Sequence, residues 1–182
     1  MRLFASVGVE PFADRIEDLQ EPLAGLEGLR PTDPSQAHVT VKFLGERDHD
    51  LDALAAAMER SVENSGVEPF EATLDGVGAF PSREYIRVVW IGFGAGTEPL
   101  SDLHESVEAE TTALGYDEER HDFTPHVTLA RMDDATAKGE VQRFLRESEP
   151  SFGPLNVEEI RLTESELTPD GPEYRTIERF PL

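Results

Sequence analysis

Cysteine is absent from this 182-residue chain, which excludes disulfides, thiolate-held zinc and thiol nucleophiles at once. Lysine is nearly absent too. Lys42 and Lys138 are the only two among 16 basic residues, against 38 acidic ones, for a formal net charge of −22. Affinity for long nucleic-acid backbones rests on Lys and Arg neutralising phosphates, so any nucleic-acid substrate has to be held locally, at a terminus. The scarcity of lysine within so much acid points to a halophilic protein, in a cytosol of molar salt where the Debye length falls to about 3 Å and self-repulsion is screened. Long apolar runs are also missing. Nothing approaches the roughly 18 residues of a membrane helix, and the most apolar stretch, Val88 to Gly96, is broken by Gly92, Gly94 and Gly96. No basic-then-apolar leader opens the sequence. The expectation is a soluble, cytoplasmic protein with no membrane partner and no obligate protein partner.

What is present is apolar periodicity. Arg2 to Val9 reads as a strand, and Pro11 opens a helix through about Leu26, with Ile16, Leu19 and Leu23 at helical spacing. Arg30 to Gln36, with two prolines, reads as a loop. His38 to Leu44 is strand-like and ends at Gly45; Asp48 to Asn64 is an amphipathic helix. Phe70 to Phe80 and Tyr85 to Phe93 form a hairpin, Thr97 to Leu114 a helix ended by Gly115, His126 to Arg131 a strand, and Asp133 to Glu147 a helix. Val157 to Leu167 and Tyr174 to Phe180 close the chain as a strand pair. Helices and hairpins interleave and no Gly-rich phosphate loop follows a strand, so the class is α+β rather than a doubly wound parallel fold.

One segment recurs. His38-Val39-Thr40-Val41 returns as His126-Val127-Thr128-Leu129, each followed by a loop and a helix with an acidic start. An approximate internal duplication accounts for this: two lobes, within one structural domain spanning residues 1–182. Because a strand alternates faces with period two, His38 and Thr40 share a front, as do His126 and Thr128, while the intervening apolar residues point back into the lobe cores. If a pseudo-two-fold relates the lobes, the two fronts face each other across a cleft.

That arrangement suits phosphodiester chemistry. One neutral imidazole accepts a proton from the attacking water or hydroxyl; the other, protonated, donates to the leaving oxygen. An ordinary imidazole pKa near 6.5 makes both forms available close to neutrality. The Thr40 and Thr128 hydroxyls can donate to the non-bridging oxygens as charge builds on them. No cofactor or metal is needed for this division of labour, and a threonine two residues from each histidine is a poor zinc ligand. By strand parity Lys42 shares the front with His38 and Thr40 and is a candidate phosphate contact. His49, His104 and His121 read as surface residues.

The sequence resembles the 2H phosphoesterase superfamily, and within it the RNA 2′,3′-cyclic phosphodiesterase (2′-5′ RNA ligase-like) family. The resemblance rests on His38-Val39-Thr40-Val41-Lys42-Phe43-Leu44-Gly45 and on Phe123-Thr124-Pro125-His126-Val127-Thr128-Leu129-Ala130-Arg131, and it continues through Gly76 to Pro81 with Val89-Trp90 and through Leu167 to Tyr174. It implies a bilobal fold with two antiparallel sheets lining a central cleft and helices outside. It also implies hydrolysis of an RNA 2′,3′-cyclic phosphate to a 2′-phosphate, with His38 as proton donor, His126 as proton acceptor and roles exchanged in the reverse 2′-5′ ligation. Arg131 takes the family's arginine position after the second motif, a substrate contact, although strand parity alone turns it away from His126. Where family members often carry an aromatic after a basic residue, this chain has Pro31 and Thr32 after Arg30. The partner implied is an RNA 3′ terminus or a small cyclic nucleotide. Two alternatives stay open: a related enzyme acting on another small cyclic phosphate, and a nucleotide-binding module without turnover.

Overall fold

A computed structural model describes residues 1–182. In chain order the elements are β1 (Arg2–Gly8), α1 (Ala13–Gln20), β2 (Leu29–Pro31), β3 (His38–Glu46), α2 (Leu51–Ser65), β4 (Phe70–Pro81), β5 (Ile86–Phe93), α3 (Thr97–Ala113), β6 (His126–Met132), α4 (Lys138–Glu147), β7 (Ser151–Val157), β8 (Glu159–Thr168) and β9 (Gly171–Pro181). The class is α+β. Every strand pairing is antiparallel, in the order β7-β4-β5-β6-β3-β1-β8-β9, with β2 added on β6.

The two expected sheets are two halves of one. Four strands on each side meet at a seam where β3 and β6 share a single pair, Val39 with Val127. Past that pair β6 leaves β3 and takes β2 as its neighbour. The halves repeat one another: apart from the short β2 before β3, β1-α1-β3-α2 and β5-α3-β6-α4 follow the same order. Register repeats as well. Ser6, Val7 and Gly8 stand opposite Thr40, Val39 and His38, and Trp90, Ile91 and Gly92 stand opposite Thr128, Val127 and His126. A glycine thus stands opposite each histidine on the neighbouring strand.

The halves interlock behind the sheet. On α1, Gln20 reaches across to a carbonyl of β6, and on α3, His104 reaches a carbonyl of β3. Val39, Val41, Val127 and Leu129 are at most 1% exposed and share one core with Leu54 and Met58 of α2 and Leu100, Leu103 and Val107 of α3. Each such side chain contributes roughly 1.5–3 kcal/mol by leaving water. The core runs under the seam and holds both histidine strands against one set of helices.

Most boundaries follow local chemistry. Asp50 caps α2 by accepting from the Ala53 N–H at 3.1 Å, and Gly115 at φ +85° follows α3 as the left-handed stop expected there. The helix expected from Pro11 to Leu26 is shorter, with single 3-10 turns on both sides of α1, because Pro22 offers no amide to continue it. The segment expected as a loop from Arg30 contains β2. The helix expected from Asp133 begins only at Lys138, because Asp133 pairs with Arg30 and Asp134 accepts from the Thr136 N–H. Strand β7 gave no periodic signal. It alternates buried and exposed residues around Gly153-Pro154 and is recruited by its pairing with β4.

Candidate active site

The Val39–Val127 pair determines how the site is built. In an antiparallel ladder with those two opposite, His38 lies opposite Thr128 and Thr40 opposite His126, all four on the face away from the core. The histidines therefore occupy one diagonal of a square and the threonines the other. In a regular ladder such diagonal neighbours are about 7–8 Å apart.

Both rings are oriented by the same device. His38 Nδ1 lies 2.9 Å from the Gln36 carbonyl, and His126 Nδ1 lies 2.7 Å from the Thr124 carbonyl. A carbonyl only accepts, so in each ring Nδ1 carries the proton and the neutral form leaves Nε2 as a free base. Burial pushes both pKa values below the ordinary imidazole value, partly opposed by these carbonyl bonds; the Arg131 charge lowers both further. His126 also lowers His38, while Glu10 raises it. A charged His126 thus discourages protonation of His38, as a one-acid, one-base pair requires.

Aromatic walls supply the burial. His38 stands edge-on to Tyr174 at 4.9 Å between ring centres and tilts on Phe4 at 4.9 Å. His126 stands edge-on to Phe80 at 4.8 Å, with Trp90 behind at 6.1 Å. Trp90 lies over Gly78, where an added Cβ would sit 2.2 Å from the indole. These four aromatics come from β1, β4, β5 and β9 and share no spacing, so no pattern along the chain marks them as walls of one site.

Beyond the threonines both strands do something that strict alternation forbids. Opposite β1, Thr40 pairs with Ser6 and Lys42 with Ala5, so Val41 is an extra residue; opposite β5, Thr128 pairs with Trp90 and Ala130 with Val89, so Leu129 is extra. These are β-bulges at the same position of both motifs, and each reverses the facing of the residues after it. Arg131, which parity had turned away, is exposed on the front. It makes no ion pair, although its charge is felt at His38, His126 and Tyr174.

Lys42 requires a correction. Its side chain is 1% exposed and its ammonium lies 2.7 Å from Glu108 Oε2 of α3, close but poorly aligned for a hydrogen bond. The bulge at Val41 has turned it into the core, so it is withdrawn as a phosphate contact. Burial would raise the Glu108 carboxyl, but Lys42 and the Glu119 N–H bring it below its ordinary value. The neighbouring Phe43 is 60% exposed on the front. Burying an ion costs several kcal/mol and leaving a Phe in water forgoes about 1.5–3 kcal/mol, so this inversion runs against local preference.

The remaining histidines divide. His104 is half-buried rather than on the surface: Nδ1 donates to the Val41 carbonyl at 2.7 Å, and the ring stacks on Phe123 at 4.3 Å. His49 bonds to the Tyr116 hydroxyl and the Met1 carbonyl, and His121 is exposed. Thr32, two residues after Arg30, donates to the Thr128 carbonyl at 2.8 Å. Arg30 is engaged with Asp133 through two contacts of 2.7 Å. No group of three or more His, Asp or Glu side chains is arranged to hold a metal ion, and no helix is long and apolar enough to cross a membrane.

Comparison with known proteins agrees on one group. The pattern of the 2′-5′ RNA ligase superfamily matches residues 9–168. An RNA 2′,3′-cyclic phosphodiesterase of Archaeoglobus fulgidus is 34% identical over 182 residues, covering 99% of both chains. One from Methanothermobacter thermautotrophicus is 32% identical, covering 100% of this chain and 99% of its own. Among solved structures, one from Thermus thermophilus superposes with a TM-score of 0.80 at 31% identity, covering 100% of this chain and 98% of that one. E. coli LigT complexed with 3′-AMP superposes with a TM-score of 0.78 over 100% of this chain and 97% of its own; at 24% identity it speaks for the fold.

Proposed function

Because this chain belongs to the 2′-5′ RNA ligase superfamily, we propose that it hydrolyses RNA 2′,3′-cyclic phosphate termini to 2′-phosphates, with His38 and His126 as the acid–base pair. The observation that carries this reading is the matched pair of imidazoles, each with Nδ1 tied to a carbonyl and Nε2 free, on two strands that meet at the Val39–Val127 pair. Support for the substrate comes from full-length relatives named for that activity.

In hydrolysis, His126 Nε2 takes a proton from water as its oxygen attacks phosphorus. The bond from phosphorus to the ribose 3′ oxygen breaks, and His38 Nε2 delivers a proton to that oxygen, leaving a 2′-phosphate and a 3′ hydroxyl. Thr40 and Thr128, on the other diagonal, donate to the non-bridging oxygens where charge accumulates. Arg131, a guanidinium without a carboxylate partner in a chain of net charge −22, offers the anion a bidentate hold. Phe43 offers the terminal base an exposed ring to stack on. Ligation through a 2′-5′ bond is the same path reversed, with acid and base exchanged. The acidic, lysine-poor surface fits a cytoplasm of molar salt, and thermal melts across a KCl series should then show the melting temperature rising with salt.

Product analysis tests the assignment. An RNA oligomer ending in a 2′,3′-cyclic phosphate should yield the 2′-phosphate, and excess EDTA should leave the rate unchanged. A 3′-phosphate product would reverse the proposed leaving group. Loss of activity on chelation, restored by one divalent ion, would replace the mechanism with a metal-dependent one. Turnover of a small cyclic phosphate with none of the RNA end would favour the related-enzyme alternative.

A further inference from the structure

The two bulges share a second feature. The carbonyl of each extra residue is held by a side chain from the first helix of the opposite half. His104 Nδ1 of α3 donates to the Val41 carbonyl at 2.7 Å, and Gln20 Nε2 of α1 donates to the Leu129 carbonyl at 2.9 Å. A bulge disrupts the ladder locally, and these donors meet it at equivalent places. In the second half the bulge needs little help, since relaxing it would drive Arg131 toward the core and bring only Ala130 forward. In the first half the balance is opposite. A regular strand would expose Lys42 and bury Phe43, which both prefer, yet the structure buries Lys42 to 1% and exposes Phe43 to 60%. Something must hold that register, and α3 supplies both means: His104 at the bulge carbonyl and Glu108 at the Lys42 ammonium. The same two residues reach the segment before the second motif. His104 stacks on Phe123, and Glu108 accepts from the Glu119 N–H at 2.8 Å.

We infer that His104 and Glu108 are positioning residues for the reaction: they hold the Val41 bulge in its inverted register, so that Phe43 stands in the cleft for the substrate's base and Lys42 stays out of it. The use of Phe43 rests on the function proposed above; the holding of the register does not, and it can be read without turnover. Only two lysines exist in the chain, so acylation of folded protein with an amine-reactive ester, followed by peptide mass spectrometry, reports Lys42 directly with Lys138 as internal reference. In the unaltered protein Lys42 should label at least about tenfold more slowly than Lys138, as a group shut from reagent does. In His104→Phe, which keeps a ring on Phe123 but loses the donor, Lys42 labelling should rise toward that of Lys138 while Lys138 stays constant. His104→Gln, which restores a donor of the kind Gln20 provides in the other half, should return Lys42 to protection.

Kinetics with a 2′,3′-cyclic nucleotide provide the second arm. His104→Phe should raise KM more than it lowers kcat, and adding it to Phe43→Ala should cost nothing further, since interacting sites are non-additive. Lys42 equally protected in both His104 variants would overturn the inference. If His104→Phe does not fold, Glu108→Gln should show the same rise in labelling, and protection there overturns it as well. Lys42 released as expected while Phe43→Ala leaves KM unchanged would uphold the positioning role and defeat the base-stacking reading instead.

Discussion

Opposite Thr40 the first half of the sheet places Ser6, and opposite Thr128 the second half places Trp90. Ser6 is spent on a buried bond of 2.9 Å to Thr163, and beside it a polar cavity of about 110 Å³ opens next to His38, lined by Gln36, Thr163 and Tyr174 among others. Trp90 instead fills the corresponding place with an indole laid over Gly78 and packed on Phe80. One backbone plan, with the same register, the same Nδ1 anchor and the same bulge, therefore carries two different linings. The shared parts make two equivalent imidazoles, and the differing parts allow them unequal duties. Duplication alone would give two identical groups, and an acid–base pair needs two that can be told apart.

The largest effects should come from the rings themselves. His38→Ala and His126→Ala should each lower the rate on the order of 10²-fold or more, as loss of a general acid or base does. The two losses should differ in kind. In the unaltered protein kcat/KM should follow a bell in pH, and because burial and Arg131 lower both histidines, both limbs should fall on the acid side of 6.5. The His126 variant should lose the acidic limb and the His38 variant the alkaline one. Near-normal turnover in either would show the motif to be structural.

Next in size are the threonines. Thr40→Ala and Thr128→Ala each remove a donor to the charged oxygens and should cost on the order of 10²-fold while leaving both limbs in place. A pH profile that changed shape would mean that a threonine carries protons.

A sharper test of the comparison is to give the second half the first half's residue. Trp90→Ser opens the wall behind His126, so solvation should raise that histidine toward its ordinary value and shift the acidic limb upward, leaving the alkaline limb where it was. An NMR titration of the ring checks this directly. Movement of both limbs together would show that the linings are not independent.

The smallest expected effect is on stability. Both histidines have folded pKa values lowered below the unfolded value, so between the two the unfolded chain binds more protons. The corresponding stability is fully present above about pH 6.5 and is lost as pH falls through the folded values. Denaturant melts at pH 7 and pH 5 should show the decline, and His38→Gln/His126→Gln should flatten it. An unchanged slope would assign the acid sensitivity to carboxylates.

Alternation of apolar residue and hydroxyl around each histidine, read along the chain, determined the two strands, their shared front, the duplication and the pair of imidazoles, since period-two patterning acts between neighbours two apart. The capped α2 and the glycine stop after α3 were legible for the same local reason. Tertiary structure decided the rest. The aromatic walls are assembled from four strands distant in sequence, and β7 exists because β4 has an edge to pair. The extra residues Val41 and Leu129 belong to the pairing with β1 and β5, so no reading of one strand could find them. That is why parity placed Lys42 in the cleft and turned Arg131 away from it, and why the structure exchanges their places: a bulge is a property of two strands, and its cost in the first half is met by His104 and Glu108 on a helix more than sixty residues further along the chain.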